Sequence, residues 1–328
     1  MQHRKSNTSF DYHNSIFQNI LYAFSLVFTF HFASSAQFFS KGEKQFPTLQ
    51  DTASAALMNI NNVAMWVNDD GLLEKNSARQ TAGVTFPKGT STLVYDGGIL
   101  WAGIVQDGTT PQLRVGGQAR VAGTIPGRIT ASKLPENRYA NAVRVFRIRR
   151  DWRNGDLQQD AAETFGISIF DITENELQQL RQRYANDWYN WPWQKGAPYY
   201  ERNGIPGYQA DTSNTIDSTD DEPGLLNADQ VIWLVCNDLN QTRTRALAGS
   251  PPIGMEHQIT CWAYKSNDEL GNVIFQQHKI IYKGMPTTPP TSIIDSMYIA
   301  KWADTDVGDV KDDYSGCMID NNLGYTYN

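Results

Sequence analysis

The sequence is short of the residues that do chemistry. It holds three cysteines and five histidines in 328 residues, and only His257 and His278 fall beyond position 31. Neither belongs to an H-E-x-x-H helix, which excludes a zinc protease of that kind. No C-x-x-C pair exists, so a thiolate zinc site is not expected. There is no G-x-S-x-G elbow, no G-x-x-x-x-G-K-[ST] loop and no strand-borne G-x-G-x-x-G. Positive charge is not in excess: the formal net charge is -7. A nucleic-acid backbone needs a basic face, so a nucleic-acid partner is not expected. No apolar run of spanning length follows the first 36 residues, so the membrane is met only during export.

Three cysteines do not make a disulfide framework. Cys236, Cys261 and Cys317 admit two readings. One pair is oxidised in an exported chain, leaving a thiol over, or all are free thiols that pack as small hydrophobes. On either reading no pair is expected to be essential.

What is present favours strands. Hydrophobic residues make up 40% of the chain, enough for a packed core, and aromatic residues 12%, with 9 Trp, 15 Tyr and 25 Gly. That texture predicts a mainly β protein. Residues 1–36 read as a secretory leader: Arg4 and Lys5, an apolar run over 20–32, then Ser34-Ser35-Ala36, with cleavage expected before Gln37. An uncleaved anchor is the alternative. Residues 37–60 form a polar lead-in.

Residues 61–150 read as a Gly-rich antiparallel region. Strand-sized runs fall at 63–67, 83–86, 92–95, 99–105 and 113–122. Turn signals separate them: Asn68-Asp69-Asp70-Gly71, Pro87-Lys88-Gly89, Asp96-Gly97-Gly98, Asp107-Gly108 and Gly116-Gly117. The run over 143–148 alternates apolar residues with arginines, which predicts a solvated strand face. Residues 151–228 read as a connector with one short helix. Thr173 and Glu176 make its capping box, and Leu177, Leu180 and Tyr184 share a face. Residues 196–224 are loop-rich, which fits a linker or a binding loop. Residues 229–328 read as a β-sandwich region. In it Val231, Trp233 and Val235 point one way and Ile232, Leu234 and Cys236 the other, the pattern of a strand buried on both faces. Short strands with long crossovers predict an antiparallel β-sandwich.

Two constellations are candidate sites. The first is the acidic loop over 304–313, with Asp304, Asp306, Asp309, Asp312 and Asp313 against one lysine, Lys311. Carboxylates at that density repel unless something screens them, and their spacing suits a hard cation; Ca2+ is the expected ligand. It is not an EF-hand loop, because the glycine is one position early and Ser315 stands where a bidentate Glu belongs. A solvated acidic turn is the alternative. The second is Trp188, Trp191 and Trp193, an aromatic platform for polysaccharide on one reading and a core plug on the other.

Several stretches resemble the large multidomain exported proteins of the Bacteroidetes–Ignavibacteria kind that end in a type IX secretion sorting domain. They are Asn62-Val-Ala-Met-Trp-Val67 with Asn68-Asp69-Asp70-Gly71, Phe86-Pro87-Lys88-Gly89, and Gly97-Gly98-Ile-Leu-Trp-Ala-Gly103. Asn190-Trp191-Pro192, Gly196-Ala197-Pro198, Val235-Cys-Asn-Asp238 and Gly249-Ser-Pro-Pro-Ile-Gly254 follow. The last are 304–308, Asp312-Asp313 and Gly316-Cys317. The chain looks like the amino-terminal part of such a protein, without the sorting domain. The resemblance implies an extracellular or outer-surface address and a β-rich build, and it implies no catalytic residues. The expected function is a secreted or surface structural or adhesive protein without catalytic activity, stabilised by calcium. The alternative is an extracellular protein that binds or acts on polysaccharide.

Overall fold

The computed structural model describes residues 54–210 and 219–328. The expected leader and most of the lead-in lie outside the described residues. Among the described residues the chain is a two-sheet antiparallel sandwich with a helical layer on one outer face. No described helix is long and apolar enough to cross a membrane.

The first sheet holds β1 (Ala55–Met58), β2 (Ala64–Asn68), β5 (Val84–Thr85), β6 (Thr92–Gln106), β7 (Gln112–Ala119) and β8 (Ala122–Gly123). A small hairpin, β3 (Lys75–Asn76) with β4 (Thr81–Ala82), interrupts the run between β2 and β5. The second sheet runs β10 (Phe146–Arg149), β13 (Gln230–Asn237), β14 (Met255–Ala263), β15 (Phe275–Tyr282), with β9 (Ile125–Pro126) on β13. Between β10 and β13 come α1 (Gln158–Phe165), α2 (Glu174–Tyr189) and the pair β11 (Tyr199–Tyr200) and β12 (Glu222–Pro223). A third helix, α3 (Gln241–Ala248), joins β13 to β14 and lies against β7 and β8. Three helices therefore stand among the described residues where the sequence announced one. The extra two are eight residues each, too short for a helical period to repeat more than twice.

The chain closes with β16 (Ile293–Thr305), then the hairpin of β17 (Tyr314–Met318) and β18 (Leu323–Tyr327). β16 pairs with β6, so the end of the chain completes the first sheet rather than the second.

One core lies between the sheets, where Met58, Met65, Val67 and Val84 meet Ile232, Leu234, Cys236, Ile259 and Cys261. A second lies between the second sheet and the helices, where Val231, Trp233 and Val235 meet Leu157, Leu180, Tyr184 and Trp188. All eight residues of β13 are buried, as its two apolar faces require. The Glu176 carboxylate accepts the Thr173 backbone N–H at 2.9 Å, which closes the expected box at the start of α2.

Two turn signals are not turns. Gly97-Gly98 lies inside β6, one continuous strand of 15 residues. A Cβ on Gly97 would stand 2.0 Å from the Glu74 carboxylate, and one on Gly98 would stand 2.5 Å from the Gln118 carbonyl. These glycines serve close approach, not reversal. Gly116-Gly117 is likewise inside β7, with the Trp101 ring over Gly116. The arginine row on β10 is not solvated either: Arg147 and Arg149 are buried. They bond Asp160 of α1 at 2.6 Å and 3.3 Å, and the Tyr184 hydroxyl donates to the same carboxylate at 2.6 Å. Burial makes the Asp160 charge costly, but the two guanidinium groups and the hydroxyl hold its pKa down at about 2.

Candidate functional site

The two sequence candidates end in different places. Trp188 and Trp191 are 2% and 3% exposed, so neither indole offers a face to a sugar. Trp193 packs partly buried against the same cluster and stands edge-on to Tyr199. The aromatic run fills the helical side of the second sheet, which corrects the platform reading. The indoles sit there because α2 ends at Tyr189 and Pro192 folds the chain back onto β10 and β13.

The acidic loop, by contrast, is at the surface, at the end of β16. That strand has one partner, β6, and residues 297–301 are all exposed. A bulge lies between Asp295 and Tyr298, with Ser296 at φ 51°. Side chains tie the strand down. Lys301 Nζ reaches both Glu74 oxygens at 2.8 Å, and Trp302 Nε1 donates to the Gln118 carbonyl at 2.8 Å.

Within the loop the carboxylates divide their work. Asp313 accepts the Val307 N–H at 3.2 Å, and Asp309 accepts the Lys311 N–H at 3.2 Å. These two therefore shape the turn. Asp304 pairs with Arg120 at 2.8 Å. The Asp306 N–H donates to the Leu93 carbonyl at 3.0 Å, which continues the β6 pairing past the end of β16. Burial raises the Asp306 pKa, and Asp304 and Asp313 add to the rise. In this conformation no three His, Cys, Asp or Glu side chains among the described residues converge as a metal-ligand set.

Sequence reading missed Asp96. It sits on β6 directly opposite Asp304 of β16 and is 2% exposed. Its Oδ1 has no hydrogen-bond partner, and its Oδ2 reaches only Arg120, at 3.7 Å. Burial raises its pKa; Arg120 and Lys75 oppose the rise, and Asp304 and Asp306 add to it. The one signal in the sequence was the acid in a strand run ahead of two glycines, which read as a turn.

Beyond the loop, the closing hairpin presents an aromatic face. Its cross-strand pairs are Tyr314 with Tyr327, Gly316 with Tyr325, and Met318 with Leu323. Period-two alternation puts all six on one face, and every large side chain among them is exposed. The Tyr314 and Tyr327 rings lie 5.7 Å apart at 27°, and Tyr325 and Tyr327 lie 6.0 Å apart at 35°. The other face is held to the body by Thr326 on Thr305 at 3.0 Å, with Asn328 on the Val307 carbonyl at 2.7 Å.

The only two histidines of the described residues also meet. His257 Nε2 and His278 Nδ1 are 3.0 Å apart between the sheets, under the edge of Trp101. Burial first, then His278, lowers the His257 pKa to about 3; burial, then Lys301, lowers that of His278 to about 4. Cys236 and Cys261 are buried free thiols and Cys317 is an exposed one. Burial pushes the Cys261 thiol up to about 12, which keeps it unreactive.

Comparison with protein-family models, curated proteins and solved structures finds no match to this chain.

Proposed function

We propose that the chain is an exported, surface-located adhesive module that binds polysaccharide through its closing hairpin and performs no catalysis. The tyrosine face of β17 and β18 carries this reading. An isolated two-stranded hairpin is marginal in water, so a bare apolar face on one is costly to keep. Rings with apolar bodies and hydroxyl tips stack on the apolar faces of sugar rings while their hydroxyls bond sugar hydroxyls. The small tilts between neighbouring rings give one continuous surface. The acidic loop beside it supplies acceptors for sugar hydroxyls. The leader-like residues 1–36 and the stretches that resemble exported type IX cargo support the address. The acidic loop supports stabilisation by Ca2+, since Asp304, Asp306, Asp309, Asp312 and Asp313 lie in one short segment that an extracellular calcium level can screen.

Affinity electrophoresis in gels of β-glucan, mannan, chitosan and peptidoglycan fragments tests the reading. Retardation in at least one gel is expected, and it should be lost in Tyr314→Ser/Tyr325→Ser/Tyr327→Ser. Equal mobility of wild type and variant in every gel overturns the proposal. A wild type that dimerises in sedimentation, while the triple variant does not, assigns the face to a second copy instead.

A further inference from the structure

We propose that Asp96, Asp304 and Asp306 form a site for one hard divalent cation of the Ca2+ class, and that Arg120 holds the place of that cation until it binds. The inference rests on the calcium-stabilised reading of the loop and changes its ligand set.

The starting observation is Asp96. A carboxylate this buried is normally satisfied by hydrogen bonds or a close ion pair. Asp96 has an Oδ1 without a partner and a single guanidinium neighbour at 3.7 Å. Two carboxylates, Asp304 and Asp306, and two cations, Arg120 and Lys75, act on it. Asp304 faces it across the β6–β16 pairing. Asp306 follows a register shift after Asp304 and lies close enough to act on both Asp304 and Asp96. Both carboxylates oppose the ionisation of Asp96. The arrangement therefore brings two further carboxylates to a buried oxygen that accepts no hydrogen bond, with Arg120 and Lys75 as the only cations acting on Asp96.

Arg120 shows where the carboxylates point. Its NH1 reaches toward Asp96 and its NH2 bonds Asp304 at 2.8 Å, so one guanidinium bridges the two groups. Yet its side chain is 60% exposed and stands on a tight turn at φ 52° between β7 and β8. A long, solvated side chain leaves such a position at little cost. With the guanidinium between them the carboxylates do not converge. Once it swings out, a cation of higher charge density draws them together and reaches the Asp96 oxygen that Arg120 leaves bare. Backbone carbonyls and water complete a shell of about 6 to 8 oxygens. Asp309 and Asp313 are excluded as primary ligands, because each already accepts a backbone N–H of the loop.

Melting curves of the full chain in EDTA and in CaCl2 test the assignment, on wild type, Asp96→Asn, Asp304→Asn, Asp309→Asn and Arg120→Ala. Wild type is expected to melt roughly 5 °C higher in excess Ca2+. Asp309→Asn should keep that rise, and Asp96→Asn and Asp304→Asn should lose it. Arg120→Ala should reach its rise at lower Ca2+, since its competitor is gone. In EDTA, Asp96→Asn should melt above wild type, because the unsatisfied charge is removed. A calcium rise that persists in both Asp96→Asn and Asp304→Asn overturns the ligand set and leaves the calcium reading of the loop standing. No calcium rise in wild type or Arg120→Ala overturns both. If Asp96→Asn does not fold, the half-buried Asp304→Asn decides alone.

Discussion

β13 and β16 are both rich in branched and aromatic residues and meet opposite fates. β13 reads QVIWLVCN and is buried at every position. β16 reads IIDSMYIAKWADT, equally rich in branched and aromatic residues, and is exposed along its middle. β16 carries Asp295, Lys301 and Asp304 where β13 carries no charge, and the two also differ in their number of neighbours. β13 has a strand on each edge, a sheet on one face and a helical layer on the other. β16 has a strand on one edge, and the second sheet ends at β15 before it covers β16. Branched and aromatic residues make both strands; charge and the layers around each decide whether it carries stability or a surface. The following tests set the two regions against each other, beginning with the largest effect.

The interior of the layered region should be least tolerant. Trp233 lies on the helical face of β13, beside Phe146, and is fully buried. Trp233→Ala is expected to cost about 3–5 kcal/mol, through lost transfer and the cavity left behind. Urea unfolding measures it. A loss under about 1 kcal/mol would mean that α1 and α2 do not pack as a closed layer.

The ionic centre of the same layer comes next. Asp160→Ala leaves Arg147 and Arg149 buried without their shared partner, which is expected to cost about 3 kcal/mol. The pH dependence has a fixed sign. A carboxyl lowered from 3.8 to about 2 contributes stability above the unfolded value. That contribution disappears as pH falls through about 2. Acid titration of wild type against the variant should therefore converge between pH 4 and pH 2.

The layered region was also the more legible in sequence. The two apolar faces of β13 and the Thr173 box were open to reading because period-two and capping patterns are local. Arg147 and Arg149 misled because an alternating charge pattern is the same whether solvent or a buried Asp160 faces it, and Asp160 lies on another element. Gly97-Gly98 misled because glycine marks reversal and close approach alike, and only the packing of Glu74 and Trp302 distinguishes them. At the candidate site the loop aspartates were visible as a run. Asp96 was not, since it lies about two hundred residues earlier in sequence and joins them only through the pairing of β6 with β16.

The histidine pair lies where the two regions meet. Its neighbours are Trp101 of β6, Gln276 of β15, which accepts from His278 at 3.3 Å, and Lys301 of β16. Glu74 follows behind Gln276, at 3.2 Å. Both imidazoles are lowered from 6.5, so the unfolded chain binds the protons first. Their contribution is complete above pH 6.5 and is lost as pH falls toward 4 and then 3. Between pH 6.5 and 5, wild type should lose about 3 kcal/mol more than His257→Gln/His278→Gln. Parallel pH profiles of the two proteins would remove the pair from the account of acid stability.

The smallest stability effect belongs to the bare hairpin, and there the comparison is sharpest. Tyr325 lies over Gly316 across the pairing of β17 with β18, and its ring remains 43% exposed. Cross-strand pairs of this kind are each worth roughly 0.2–1 kcal/mol to local pairing. Tyr325→Ser should thus change the global unfolding free energy from urea titration by less than about 0.5 kcal/mol, while Trp233→Ala changes it several-fold more. Polysaccharide retention should respond the other way: lost or much weakened in Tyr325→Ser, and retained in a core variant mild enough to stay folded, such as Val235→Ala. A tyrosine that matters to stability as much as a core residue would show that the hairpin face is packed in solution. A tyrosine that matters to neither stability nor retention would leave a bare aromatic surface with no physical reason to persist beside an acidic loop.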